Sequence, residues 1–197
     1  MIQEIKEKIS SLILKYGADK DFNRSARYNE TLLRSDFLDP LFEALGWDIK
    51  NISGKNTTER EVLLEEPLKA NACAHSKKPD YTFRLYGERK FFLEAKKPAV
   101  DISHEDDPAK QVRRYGYTAE LKVSVLSNFE NLYIYDTTYQ VNTNDQRTKA
   151  LVKSYKYTEL ADKAEELLDL IGKDSVYTGR FDEVWQEIEH NVVHTSV

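Results

Sequence analysis

Pro79-Asp80-Tyr81-Thr82-Phe83-Arg84-Leu85-Tyr86-Gly87-Glu88-Arg89-Lys90-Phe91-Phe92-Leu93-Glu94-Ala95-Lys96-Lys97-Pro98 is the stretch from which the fold can be read. Residues 81–86 mix aromatic, β-branched and apolar types, and 91–95 form an apolar run broken by one acid, so the spacing predicts two short strands joined at Gly87. Side chains alternate along a strand, which puts Phe92, Glu94 and Lys96 on one face and Phe91, Leu93 and Ala95 on the other. A carboxylate and an ammonium then stand side by side, about 7 Å apart at their Cα atoms, on a strand whose opposite face is apolar. Asp80 opens the preceding strand, and a hairpin brings it toward Glu94. Two carboxylates and a lysine at the end of a sheet make a site for a hard divalent cation and an activated water. The spacing alone is common in a chain that is 32% charged, where most such matches are solvated strand faces.

Composition bounds the rest. The 197 residues suit one domain with a helical extension, and 40% hydrophobic content with 12 Tyr and 8 Phe predicts a folded chain. A net charge of −5 is not that of a strong autonomous DNA binder. Residues 77–122 nevertheless hold 11 Lys/Arg against 8 Asp/Glu, so the region with candidate chemistry is the one that tolerates a polyanion. The single cysteine, Cys73, excludes an internal disulfide and fits a reducing cytoplasm. Cys73 and His75 lack the second ligand pair of a zinc site and read as buried or incidental. The N-terminus has no signal-peptide core, and no apolar run approaches a membrane span. The expected location is cytoplasmic, with no membrane partner.

Outward from the hairpin, Ile2, Ile5, Ile9, Leu12 and Ile13 predict an amphipathic helix stopping near Gly17. Asn29 is a cap for a second helix, broken or restarted at Pro40 and terminated at Gly46, with Glu30 and Arg34 one turn apart as a surface pair. Short strands are expected at Trp47–Ile52 and Val62–Glu66, and residues 68–78 show no period. After an acidic loop, Asp107-Pro108 opens a helix that sets Gln111 and Tyr115 on one face. Leu121–Leu126 and Leu132–Tyr135 read as strands, 137–150 as a polar loop, and 158–171 and 181–192 as helices. The order predicts an α/β fold around a mixed sheet.

Several of these segments, taken together, resemble a known superfamily. Pro79-Asp80, then 13 residues, then Glu94-Ala95-Lys96 resembles the PD-(D/E)XK nucleases. Asn29-Glu30 through Leu45-Gly46-Trp47-Asp48 is similar to the start of restriction-enzyme nuclease domains, and Gln111-Val-Arg-Arg-Tyr115 to the Q-x-x-x-Y helix of the RecB-like branch. Ser127-Asn-Phe-Glu-Asn-Leu-Tyr-Ile-Tyr-Asp136 resembles the strand pair that follows. The match covers about residues 28–136 and is closest to the N-terminal nuclease domain of type I restriction subunits and of fused type IIG restriction–methyltransferase enzymes. It implies a restriction-endonuclease-like mixed central sheet flanked by helices, with residues 1–150 as the nuclease domain. Residues 151–197 would be a helical extension leading toward a further region.

The resemblance implies a metal-dependent DNA endonuclease that hydrolyses phosphodiester bonds. Asp80, Glu94 and the Ala95 carbonyl would hold Mg²⁺, with Mn²⁺ substituting, and Glu30 would be a further ligand. Lys96 would orient the attacking water, Gln111 would position a water or phosphate, and Tyr115 would support it. Double-stranded DNA is the implied partner, in a homodimer or larger restriction complex. Lys97, Arg113 and Arg114 are candidates for phosphate contact, with solvated charge as the alternative. No helicase P-loop and no Asn-Pro-Pro-Tyr motif occurs in the sequence. The competing readings are a nuclease-like DNA-binding or interaction domain with an idle site, and a repair nuclease on the same fold.

Overall fold

In the computed structural model, which describes residues 2–68 and 78–194, the hairpin forms as the sequence predicts. Strands β2 (Tyr81–Leu85) and β3 (Glu88–Ala95) pair antiparallel across Tyr86-Gly87, both with positive φ (49° and 85°). That is the left-handed two-residue turn whose twist matches a hairpin. Glycine is required at position 87 also because a Cβ there would lie 2.9 Å from the Thr58 carbonyl oxygen. The register slips by one between Phe83 and Arg84, so Lys90 is an extra residue on β3, a bulge in the ladder.

The hairpin sits within a six-stranded mixed sheet ordered β1-β2-β3-β4-β5-β6, with β1 at Val62–Leu64, β4 at Val123–Ser127, β5 at Asn131–Asp136 and β6 at Leu151–Lys156. Neighbours are antiparallel except β3 and β4, which are joined through helix α5 (Asp107–Thr118). A parallel pair needs such a crossover. Both faces are covered, which is why 91–95 and 123–127 are apolar or buried throughout.

One face carries Phe91, Leu93, Ala95, Val123, Val125, Leu132 and Ile134. It packs against α1 (Ile2–Ala18), the pair α3 (Glu30–Leu33) and α4 (Asp39–Ala44), and the C-terminal α6 (Ala164–Ile171), α7 (Lys173–Thr178) and α8 (Arg180–His194). A four-residue helix, α2 (Lys20–Asn23), follows α1. Each fully buried aromatic or leucine here contributes about 2–3 kcal/mol of transfer free energy. The other face carries Phe92 and Leu126 and is covered by α5. The sequence placed Phe92 and Glu94 on the less apolar side of β3; the structure buries that side too.

The N-terminal helices form where periodicity and caps indicate. The Asn29 side chain accepts from the Leu32 amide at 2.9 Å. Between α3 and α4 lies a π-helical turn, Arg34–Leu38, which gives Pro40 a place in the first turn of α4, where its missing N–H costs nothing. Gly46, at φ 97°, ends α4.

Three expectations are corrected. Trp47–Ile52 is not a strand: the Asp48 carboxylate takes the Ile52 and Ser53 amides at 2.7 and 2.9 Å, and Asn51 has φ 54°, which together close turns. Trp47 instead buries its ring and donates its indole N–H to the Ile171 carbonyl at 2.8 Å. The 158–171 helix is a 3₁₀ turn at Tyr157–Glu159 followed by α6, and α7 stands between α6 and α8. The strand β6 was not expected at all. Cys73 and His75 lie outside the described residues. Among the described residues no helix is long and apolar enough to cross a membrane.

Candidate active site

The carboxyl ends of the parallel strands β3 and β4 are where an α/β sheet leaves a crevice beside its crossover helix. Asp80, one residue before β2, Glu94 in β3 and Lys96 just beyond it meet there, with Gln111 and Tyr115 supplied by α5. Asp80 Oδ2 accepts from the Ala95 amide at 2.7 Å, tying the acid to the neighbouring strand. Lys96 Nζ lies 2.6 Å from Glu94 Oε1. Gln111 Nε2 donates to the same oxygen at 2.8 Å and to the Tyr115 hydroxyl oxygen at 2.8 Å. All five side chains that the motif singled out are thus joined by contacts or through Ala95.

Glu94 is 4% exposed. Burial, and then the charge of Asp80, push its pKa up to about 7, against the pull of Lys96. Asp80 is likewise raised, by burial, against the Ala95 amide and Arg34. For Lys96, burial favours the neutral amine, but the carboxylates of Glu94, Glu30 and Asp80 outweigh it and the net shift is upward. Lys96 is therefore a cation at neutral pH, and burial also raises Tyr115, which stays a neutral phenol.

Glu94 Oε2 is buried and has no hydrogen-bond partner among the described residues. A buried carboxylate oxygen left bare is costly unless something else satisfies it. Asp80 lies nearby, and with the Ala95 carbonyl the two carboxylates would offer hard oxygen donors, the kind that suits Mg²⁺ or Mn²⁺. No group of three or more His, Cys, Asp or Glu is gathered for a metal among the described residues, so Asp80 and Glu94 stand as a pair. Glu30 stands exposed in the first turn of α3, within electrostatic reach of Glu94 and Lys96.

Two charged residues behave differently from their sequence reading. Arg34 does not pair with Glu30. Its Nη1 lies 3.2 Å from Glu65 Oε1 and 3.5 Å from Asp80 Oδ1, and its guanidinium covers the Tyr81 ring at 4.9 Å. The i,i+4 spacing gave no sign of this, because both partners come from the strand region. Arg113 is not free for phosphate: it is fully buried and held by Asp145 at 3.0 Å, fastening the 137–150 loop to α5. Arg114 is exposed and Lys97 half-buried.

Comparison with known proteins identifies the family. The family model described as "Type I restriction enzyme R protein N terminus (HSDR_N)" matches residues 27–143. A curated relative from Escherichia coli, "Type II restriction enzyme and methyltransferase RM.Eco57I", is 60% identical over 192 residues, covering 98% of this chain. The chain spans 19% of that relative's length. A chain of a solved structure, "cryoEM structure DrdV-DNA complex", aligns at 13% identity with a TM-score of 0.47, over 86% of this chain and 96% of that one. With the family model matching more than half of its length, the chain belongs to the family of type I restriction enzyme R protein N-terminal domains.

Proposed function

We propose that this chain is the metal-dependent DNA endonuclease domain of a restriction-modification enzyme. The observation that carries the reading is the bare, buried Oε2 of Glu94, set beside Asp80 and Lys96. Asp80, Glu94 and the Ala95 carbonyl would hold Mg²⁺, with Mn²⁺ able to replace it, and Glu30, within electrostatic reach, would be a further ligand. When bound, the ion supplies Lewis-acid stabilisation of phosphate charge and a water of lowered pKa.

The protein's own part is positioning. Gln111 pins Glu94 Oε1, and Tyr115 holds the Gln111 amide from behind, so Glu94 keeps one orientation. Lys96 keeps its proton at Nζ and aims a positive charge at the attacking water and at the phosphoryl oxygens, where negative charge grows during attack. Hydrolysis inserts the water oxygen at phosphorus and expels one sugar oxygen, breaking a phosphodiester bond.

The substrate is proposed to be double-stranded DNA. Cutting both strands calls for two such sites, hence a homodimer or a larger restriction complex. The split at residue 150, nuclease before it and connector after it, belongs to the same proposal; within it, β6 and α6–α8 also complete the sheet and its cover. A restriction enzyme works on DNA in the cytoplasm, and that location is proposed too.

The test is nicking of supercoiled plasmid with Mg²⁺ or Mn²⁺, comparing wild type with Lys96→Ala. Metal-dependent nicking that disappears in the variant is the expected result. Equal nicking by both proteins sinks the Lys96 assignment.

A further inference from the structure

Arg34 is a cation in contact with Asp80 that the proposed chemistry leaves without a task. We infer that Arg34 is the resident counter-ion of Asp80, and that the site takes up its divalent cation by exchange, Arg34 leaving Asp80 for Glu65. The inference rests on the reading that Asp80 and Glu94 are the metal ligands.

Both oxygens of Asp80 are engaged in the structure. Oδ2 takes the Ala95 amide at 2.7 Å, and Oδ1 faces Arg34 Nη1 at 3.5 Å. To ligate a metal through Oδ1, Asp80 has to be released by the guanidinium. The geometry makes that release easy. The Arg34–Asp80 contact lies at the outer limit of a hydrogen bond, whereas the same nitrogen is already 3.2 Å from Glu65 Oε1. Glu65 is 62% exposed at its side chain and free to follow.

The remaining contacts hold Arg34 in place whichever acid it serves. Its guanidinium lies over the Tyr81 ring at 4.9 Å, and the Tyr81 hydroxyl donates to Asp39 Oδ1 at 2.6 Å. Arg34 also begins the π-helical turn, whose wider coil is a frequent mark of a functional position. A lysine would put a single flexible ammonium here, whereas the planar fork of arginine can address two carboxylates at once. The site therefore carries its own placeholder charge. Asp80 is not left bare and buried before metal arrives, and the metal has a defined competitor to displace.

The measurement is Mn²⁺ affinity, from the electron paramagnetic resonance signal of the free ion, with no DNA present. Arg34→Met keeps the stem and removes the competitor, so it binds Mn²⁺ about five-fold more tightly. A merely structural loss would weaken binding instead. Glu65→Gln removes the alternative acceptor and weakens binding about two-fold. In the Arg34→Met background the same Glu65→Gln change has no effect, because the exchange no longer exists.

Unchanged or weaker binding by Arg34→Met overturns the inference. So does an equal effect of Glu65→Gln in both backgrounds, which would make Glu65 a through-space charge only. Glu65→Gln is an exposed change that leaves the α3 turn intact, so unaltered affinity there also overturns it, even if Arg34→Met does not fold. Glu94→Gln separates the two levels: loss of Mn²⁺ binding in that variant with no shift in Arg34→Met sinks the exchange alone. Absence of Mn²⁺ binding by the wild type sinks the metal reading and the exchange together.

Discussion

Glu61 and Glu94 are the same residue type at the same 4% exposure, and their surroundings treat them in opposite ways. Glu61 Oε1 receives Lys55 at 2.7 Å and Lys173 at 2.9 Å, with the Tyr177 hydroxyl at 3.3 Å, and Oε2 takes the Asp48 amide at 3.2 Å. Burial pushes its pKa up, but the two lysines and the amide more than reverse it, and the carboxyl sits below its ordinary value. Glu94 has one lysine and an amide on one oxygen and nothing on the other, and it sits near 7. The first carboxylate is finished: it clamps the 48–61 loop to α7. The second is under-coordinated, and the fold holds it in that state with the large apolar cluster on the opposite face of β3.

The sharpest way to break this contrast is activity. Glu94→Gln and Lys96→Ala are expected to lower metal-dependent plasmid nicking by more than about 100-fold, while Glu61→Gln keeps it below its own melting temperature. Equal loss in Glu61→Gln would show that the clamp and the site are one unit.

Stability should move the other way. At pH 8, Glu61→Gln strands two half-buried lysines and costs about 2 kcal/mol. Glu94→Gln relieves a buried charge and stabilises the metal-free protein by about 1–2 kcal/mol. Urea titration of both variants checks the signs, and destabilisation by Glu94→Gln would remove the idea that this carboxylate is held at a cost.

The pH dependence separates the pair further. A carboxyl raised from 4.5 to about 7 binds more protons folded than unfolded. Its stabilising contribution is complete below about 4.5 and disappears as pH rises through 7, so the advantage of Glu94→Gln over wild type grows from pH 5 to pH 8. Glu61, lowered, contributes above 4.5 and loses its contribution as pH falls through its depressed value. Urea midpoints across about pH 2.5–8.5 should therefore show opposite signs in separate windows: Glu61→Gln falls behind wild type as pH rises toward 4.5, and Glu94→Gln moves ahead between pH 5 and 8.

Smaller effects are expected behind Glu94. Gln111→Ala should reduce nicking about ten-fold and Tyr115→Phe about two-fold, since the phenol touches Glu94 only through the Gln111 amide. A Tyr115→Phe effect as large as that of Gln111→Ala would give the hydroxyl a direct role.

Much of this was legible in the chain. The hairpin, the Asn29 cap and the Asp107-Pro108 helix start each rest on local chemistry, and local chemistry is what a sequence displays. The failures have non-local causes. β6 carries Leu151, Val152 and Tyr155 among three polar residues, and only pairing with β5 makes Leu-Val-Lys-Ser-Tyr-Lys a strand. Trp47 looks β-like until Asp48 captures the following amides. Arg113 looks like surface charge, yet Asp145, 32 residues away, makes its burial tolerable. Arg34 reaches Asp80 across 46 residues, a contact that no spacing rule encodes.

The extra residue at Lys90 gives the motif its arithmetic. A two-residue turn with an unbroken ladder starts from Leu85 opposite Glu88 and would set Asp80 across from Leu93, twelve residues lying between them. Because Lys90 is looped out, Tyr81 stands opposite Leu93 instead, and Asp80 comes level with Glu94 after thirteen. The gap in the sequence signature is thus a ruler of hairpin length plus one irregularity. Shortening the hairpin by a cross-strand pair would change the count and preserve the site. Deleting Lys90 alone would remove the bulge, shorten the gap to twelve and still leave Glu94 level with Asp80, whereas pairing Lys90 into an unbroken ladder would bring Leu93 to where the second acid belongs.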